Sequence, residues 1–180
     1  MLEYNYVLRG ISITITQYII AYILGAVLAY IVNRNQKTLA RSPFLVLHGL
    51  NSLFFTIVSY VLISFLCKID VKPSQLVGII ETIPVFIYSF IAMYLAICRA
   101  RDGFGEKSAS ILQLIELLCF ILYFVRLQRN NDGPIVRDPV PTPKLINGGI
   151  GFTLGMIIMV GNLMINDQIF RGLPVRWVLA

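Results

Sequence analysis

The sequence predicts an all-α protein, a polytopic membrane helix bundle with four or five transmembrane helices. Of the 180 residues, 57% are hydrophobic and 13% are charged, about half the charged fraction of a typical soluble domain. The mean hydropathy is +0.78, and the apolar residues are gathered into long runs separated by short polar connectors. Such a chain cannot cover itself with polar surface, so we expect lipid to surround a single integral membrane domain spanning residues 1–180.

Four apolar segments are long enough to cross a bilayer, which takes about 20 residues of helix. They are residues 11–32, 44–66, 76–98 and 145–165. The first of them follows an N-terminus that lacks the basic start of a signal peptide, and we interpret it as a retained transmembrane helix.

The fifth apolar segment, residues 108–125, is shorter and contains Gln113 and Glu116. If it crosses the membrane, the lysines and arginines of the loops divide seven against eight, and the positive-inside rule gives no orientation. If it enters and returns on one side, or lies along the interface, they divide ten against five. Only a segment that does not cross obeys the rule, and both alternatives stay open at this point.

Ionisable and amide side chains inside the apolar segments are costly in lipid, so each must face protein or water or stay uncharged. His48 and Asn51 share one helical face, which predicts interhelical hydrogen bonds or a polar seam. For Glu116, the alternatives are a structural ion pair, an interfacial helix, or a proton or cation relay. The intramembrane polar residues are His48, Asn51, Glu81 and Glu116.

Small residues recur at four-residue spacing in the first and last segments, a pattern that lets membrane helices approach closely. Ala21, Gly25 and Ala29 form one such stripe, for which we favour packing inside the chain. Gly151 and Gly155 form a G-x-x-x-G motif. For this motif, internal packing, self-association and a partner helix remain equal alternatives.

The net charge of +6 comes from basic residues that lie almost entirely between the apolar segments. We therefore expect contact with anionic lipid headgroups and no binding of nucleic acid. The predicted headgroup contacts are Arg99, Arg101, Lys107, Arg126 and Arg129.

The sequence contains no catalytic or phosphate-binding motif that we can identify. A single histidine and three widely spaced cysteines do not form a zinc-binding pattern. We expect a protein without enzymatic activity, catalytic residues, cofactor or metal.

The middle of the chain carries an ordered set of short motifs. Arg99, Arg101 and Asp102 are followed by Gly103 or Gly105, then by an apolar run and a tail containing Gly133-Pro134 and Asp138-Pro139. From residue 92 to residue 139 this order resembles the bacterial membrane family called domain of unknown function 805. The resemblance implies a small multi-helix protein of the bacterial inner (plasma) membrane, and the family offers no established reaction.

These observations predict a structural or accessory subunit that acts by packing its helices against itself or a larger membrane partner. It would be a homo-oligomer or part of a larger membrane complex. The alternative is a small transport or lipid-translocating component. That component would use Glu81, Glu116 and the polar face that carries His48 and Asn51.

Overall fold

The fold is all-helical apart from one very short strand pair. The computed structural model describes residues 2–33, 37–68, 73–114, 116–124 and 138–172, and within these it places the side chains of 16–33, 37–62, 64–65, 82–114, 118, 121–124 and 139–166. The α-helices are α1 (Leu2–Val32), α2 (Arg41–Lys68), α3 (Pro73–Phe104), α4 (Glu116–Phe124) and α5 (Gly148–Gly172). Two 3-10 helices, Ser108–Leu114 and Lys144–Ile146, precede α4 and α5, and strands β1 (Lys37–Thr38) and β2 (Asp138–Pro139) pair in parallel.

Three helical stretches of the described residues are long and apolar enough to cross a membrane. The stretches are Arg41–Leu62, Thr82–Phe104 and Gly148–Asn166. The described apolar part of α1, Thr16–Val32, is shorter. The all-α class is therefore confirmed, whereas a count of four or five membrane crossings stays a prediction.

Hydrogen bonds fix the relative directions of the long helices. Tyr22 is joined to Ser89 and Asn33 to Arg101, so α1 and α3 run parallel. Bonds that join Asn51 to Tyr88 and Leu39 to Cys98 show that α2 runs antiparallel to α3.

Helix α5 runs parallel to α2. Ser42, near the start of α2, donates to the carbonyl oxygen of Gly148 at 2.7 Å. Ten residues further along α2, Ser52 accepts a hydrogen bond from Asn162 at 2.7 Å. The start of α2, the end of α3 and the start of α5 therefore lie together, and we call this end of the bundle, which includes Arg41, Phe104 and Gly148, the basic end.

The chain leaves α3 and enters α5 at the same basic end, so the segment between them does not carry the chain from one end of the bundle to the other. It forms a hairpin, which we define as the 3-10 helix Ser108–Leu114 followed by α4. The β1–β2 pair holds the chain after the hairpin against the α1–α2 connection at this same end.

The end of the first arm lies deeper in the bundle than the end of the second arm. Gln113, near the end of the first arm, lies beside His48, which is about 10 Å along α2 from Arg41. Leu122, near the end of the second arm, is bound to Arg99, close to the end of α3. With nine residues, α4 is about 13 Å long, less than half of a 30 Å hydrocarbon core. The predicted apolar segment 108–125 is therefore not one continuous helix.

The small-residue stripes pack inside the chain. Ala21 and Ala29 are buried, and a Cβ at Gly25 would overlap the backbone carbonyl of Phe86 in α3. A Cβ at Gly155 would lie 2.7 Å from Leu45 of α2. Gly151 is buried against the backbone of Ile146, in the turn before α5. The first stripe thus packs inside the chain, and Gly155 packs against α2, whereas the contacts of Gly151 are with the turn before its own helix.

We expect the start and the end of the hairpin to be accessible from one side of the membrane. Cysteines introduced at Glu106 and Lys144, both exposed, in a background with the native cysteines replaced, should react with an impermeant maleimide from the same side of sealed vesicles. A cysteine at Lys68, at the far end of α2, is the control and should react only from the other side. Labelling of Glu106 and Lys144 from opposite sides would contradict the fold.

Candidate functional site

The hairpin is attached to the bundle through the imidazole of His48. His48 Nδ1 lies 2.7 Å from the hydroxyl of Tyr123 in the second arm, and His48 Nε2 lies 3.1 Å from Nε2 of Gln113 in the first arm. His48 is 6% exposed, Tyr123 3% and Gln113 1%. One buried ring therefore binds both arms of the hairpin to α2.

The partners of His48 also define its protonation. An amide nitrogen only donates, so His48 Nε2 accepts from Gln113 and carries no proton. The proton of the neutral ring is then on Nδ1 and is donated to the hydroxyl oxygen of Tyr123. Phe44 packs beside the pair, with ring centroids 5.5 Å from His48 and 5.3 Å from Tyr123. Both ring nitrogens are thus satisfied in an aromatic environment from which water is excluded.

A buried ion pair forms the second attachment of the hairpin. The guanidinium of Arg99 is paired with the carboxylate of Asp102 at 2.5 Å, and these side chains are 1% and 6% exposed. Arg99 Nε also donates to the carbonyl oxygen of Leu122 at 2.9 Å. Because a charge in this location needs a compensating charge and hydrogen bonds, Asp102 neutralises Arg99 while Arg99 binds the returning arm.

Further hydrogen bonds extend from the hairpin to α1 and α3. Tyr22 donates to the carbonyl oxygen of Gln113 at 3.0 Å, and the carbonyl oxygen of Tyr22 accepts from Ser89 at 2.5 Å. Asn51 donates to the neighbouring carbonyl of Tyr88 at 3.1 Å. The structure thus links α1, α2, α3 and both arms of the hairpin through one polar core, which we define as Tyr22, His48, Asn51, Ser89, Arg99, Asp102, Gln113 and Tyr123.

A separate polar contact joins α5 to α2. Asn162 is 8% exposed and donates to Ser52, while its Oδ1 is buried without a hydrogen-bond partner. This contact lies at the level of Ser52, deeper in the bundle than His48. It shows that α5 is attached by its own seam and does not take part in the polar core.

The structure corrects the prediction that Arg99 contacts headgroups, because its guanidinium is buried and paired inside the bundle. Arg101 is half-buried and donates to Oδ1 and the carbonyl oxygen of Asn33. Lys107 is exposed, and its Nζ lies 4.4 Å from the centroid of the Tyr30 ring. Arg126 and Arg129 lie outside the described residues.

Of the four predicted intramembrane polar residues, two have described side chains and two do not. His48 and Asn51 both make interhelical hydrogen bonds. The backbone of Glu81 lies within α3 and that of Glu116 begins α4, but both carboxylates are outside the described side chains. Among the residues searched, no group of three histidine, cysteine or acidic side chains is arranged to hold a metal ion.

Five members of the polar core were not predicted as site residues, namely Tyr22, Ser89, Asp102, Gln113 and Tyr123, and the last two bind His48. Gln113 carried a usable signal, because a buried amide in an apolar segment needs a partner. Tyr123 carried none, since a tyrosine in an apolar run is equally suited to the lipid interface. Only the fold brings these two residues, ten positions apart, to opposite sides of one imidazole.

Comparisons with known proteins return no match: no protein-family model, no curated protein and no solved structure is similar to this chain. The likeness of residues 92–139 to the domain of unknown function 805 family therefore stays a prediction. Any function must be argued from the site itself.

Replacing Asp102 by Asn should destabilise the protein strongly, because it leaves the buried Arg99 without its compensating carboxylate. We expect a loss of about 3–5 kcal/mol in the free energy of unfolding, measured by denaturant titration in mixed micelles. The double variant Arg99→Met with Asp102→Leu should be the more stable of the two, since it removes both charges. Glu106→Gln, at an exposed carboxylate of the same turn, is the control. Equal losses in Asp102→Asn and Glu106→Gln would contradict the buried pair.

Proposed function

We propose that this chain is a multi-pass integral membrane protein that acts as a structural or accessory subunit. It has four membrane helices, α1, α2, α3 and α5, and a hairpin that enters and leaves the membrane on one side. It packs the outer face of α5 against a larger membrane partner or a second copy of itself, and it has no catalytic role.

The observation that carries this proposal is the one-sided attachment of α5. Only 11% of its apolar stretch Gly148–Asn166 is buried, compared with 56% of Thr82–Phe104 in α3. Its inner face is occupied by α2, which contacts Gly155. Its outer face is apolar along its length, with large exposed side chains at Ile150, Ile157, Val160, Leu163 and Met164.

The hydrogen bonding of the polar core supports a structural role over a chemical one. The described polar side chains of the core hydrogen-bond one another or backbone carbonyls of neighbouring elements. Buried polar contacts of this kind rigidify a core and specify one arrangement. A rigid bundle with a long apolar outer face is suited to holding a partner helix in place.

The distribution of charge supports an orientation. If the hairpin does not cross, ten of the fifteen lysines and arginines fall on the side of the basic end. The positive-inside rule then assigns the basic end to the cytoplasm and the N-terminus to the opposite side. A bacterial inner (plasma) membrane location fits this assignment and remains part of the proposal.

A photo-crosslinking amino acid at Ile157 tests the proposed contact. Irradiation of intact membranes should give a discrete protein adduct of constant mass, since a partner helix covers this position. The matched control is Leu24, an equally apolar and exposed position on α1, which should give lipid adducts only. Lipid adducts alone from Ile157, with the protein folded, would contradict a subunit role for α5.

A second candidate function, transport or lipid translocation, is favoured by one observation. The first arm of the hairpin ends at Leu114 and α4 begins at Glu116, so Glu116 lies at the inner end of the hairpin. Irregular backbone at membrane depth is tolerated where it is enclosed by protein or lines a water-filled cavity, and intramembrane carboxylates are common in proton relays.

Glu116→Gln separates the two candidates. In a transport component, this variant should fold normally but lose proton- or ion-linked flux in proteoliposomes, with Glu106→Gln as the control. In the structural subunit that we propose, Glu116→Gln should leave the Ile157 adduct unchanged, and neither the wild type nor the variant should show flux.

A further inference from the structure

A corner of the basic end carries a positive charge that is not paired with any carboxylate among the described side chains. Arg41 is exposed, and its guanidinium carbon lies 4.9 Å from the centroid of the Phe152 ring on α5. No described carboxylate is paired with Arg41. Arg41 also lies within electrostatic range of Arg99, whose own charge is already offset by Asp102. Among the described side chains, the charge of Arg41 is therefore not offset.

A second cation lies at the same corner. Ser42, next to Arg41, is bonded to the carbonyl of Gly148. Lys144 is only four residues before Gly148, in the 3-10 helix Lys144–Ile146 that packs against the start of α5, and it is exposed. Arg41 and Lys144 thus lie at the same end of the bundle, on two elements that contact each other.

The same corner is the boundary between polar and apolar surface. Beside the two cations, Leu145 is 65% exposed and Ile150 is 69% exposed. Below them, the exposed apolar face of α5 continues through Ile157. Cations above an apolar face match the arrangement of a phospholipid, in which a charged phosphate is followed by acyl chains.

We propose that this corner is a binding site for one anionic phospholipid. The headgroup phosphate lies between Arg41 and Lys144, and the acyl chains pass beside Leu145 and Ile150, at the edge of the α5 face that the partner covers at Ile157. Phe152 is a positioning residue, because its ring holds the guanidinium at the membrane interface and leaves the edge of the guanidinium free to donate to phosphate oxygens. This inference rests on the proposed function, in which the chain is embedded in a membrane. It adds an anionic lipid bound at the cytoplasmic end of α5.

The test measures lipid retention by the purified, full-length protein. Wild type and variants are titrated in neutral detergent with phosphatidylglycerol or phosphatidylcholine, and bound lipid is counted by native mass spectrometry. Arg41→Gln and Lys144→Gln should each weaken phosphatidylglycerol binding about fivefold, and the double variant about twenty-fivefold. Phe152→Leu, which keeps both charges, should weaken it about two- to fivefold. Both cations are exposed, so the variants should fold, which circular dichroism and gel filtration verify.

The control is Lys68→Gln, which removes the same charge from the opposite end of α2 and should leave binding unchanged. Excess inorganic phosphate should not displace the lipid, because the acyl chains contribute to its binding. The site would be overturned if wild type, Arg41→Gln and Lys144→Gln bound phosphatidylglycerol equally. It would also be overturned if Lys68→Gln lost as much binding as the Arg41 and Lys144 variants. Neither result would affect the crosslinking test at Ile157. Loss of the adduct with lipid binding intact would overturn the subunit role alone.

Discussion

The fold depends on the free-energy cost of leaving a buried imidazole or guanidinium without a partner inside an apolar helix bundle. In water, a buried imidazole or guanidinium that loses its partner can be rescued by solvent. In hydrocarbon no such rescue exists, so the alternatives to a formed hydrogen bond cost several kcal/mol. His48 and Arg99 make this constraint specific, because each has its partners on the hairpin or next to it. The hydrogen bonds of His48 and Arg99 therefore hold the hairpin in place.

The position of the hairpin in turn determines the organisation of the rest of the chain. Because it returns to the end at which it began, α5 runs parallel to α2 and contacts it through Gly155. Arg41, Lys107 and Lys144 consequently share one end of the bundle, and β1 and β2 can pair there. Had the same residues formed one crossing helix, α5 would be reversed and the basic residues would be divided almost equally between the two faces. Charge asymmetry, helix direction and the strand pair are thus consequences of one chain reversal.

Much of this architecture could be predicted from the sequence, and the exceptions have physical reasons. The all-α class and the approximate positions of the long helices follow from the apolar runs. The structure extends α2 and α3 by two to six residues at each end, begins α1 nine residues before the predicted segment, and displaces α5 towards the C-terminus. The hairpin could be anticipated only as an alternative, from its length and from the charge count. The role of Arg99 could not be predicted, because a basic residue at the end of an apolar run suits a headgroup as well as a buried carboxylate three residues later. Only the packing of the folded chain decides between these two environments. The pattern of residue types does not reveal that packing.

The most direct test of the account is a depth profile of the hairpin by electron paramagnetic resonance in reconstituted bilayers. Spin labels at Ile111, Leu114, Ile121 and Phe124, all exposed, report immersion through the ratio of oxygen to polar-relaxant accessibility. Immersion should rise from 111 to 114 and fall from 121 to 124, returning to the membrane surface from which the segment entered. A profile in which 124 lies at the surface opposite to the one nearest 111 would show a crossing helix, and it would contradict the hairpin and the orientation derived from it.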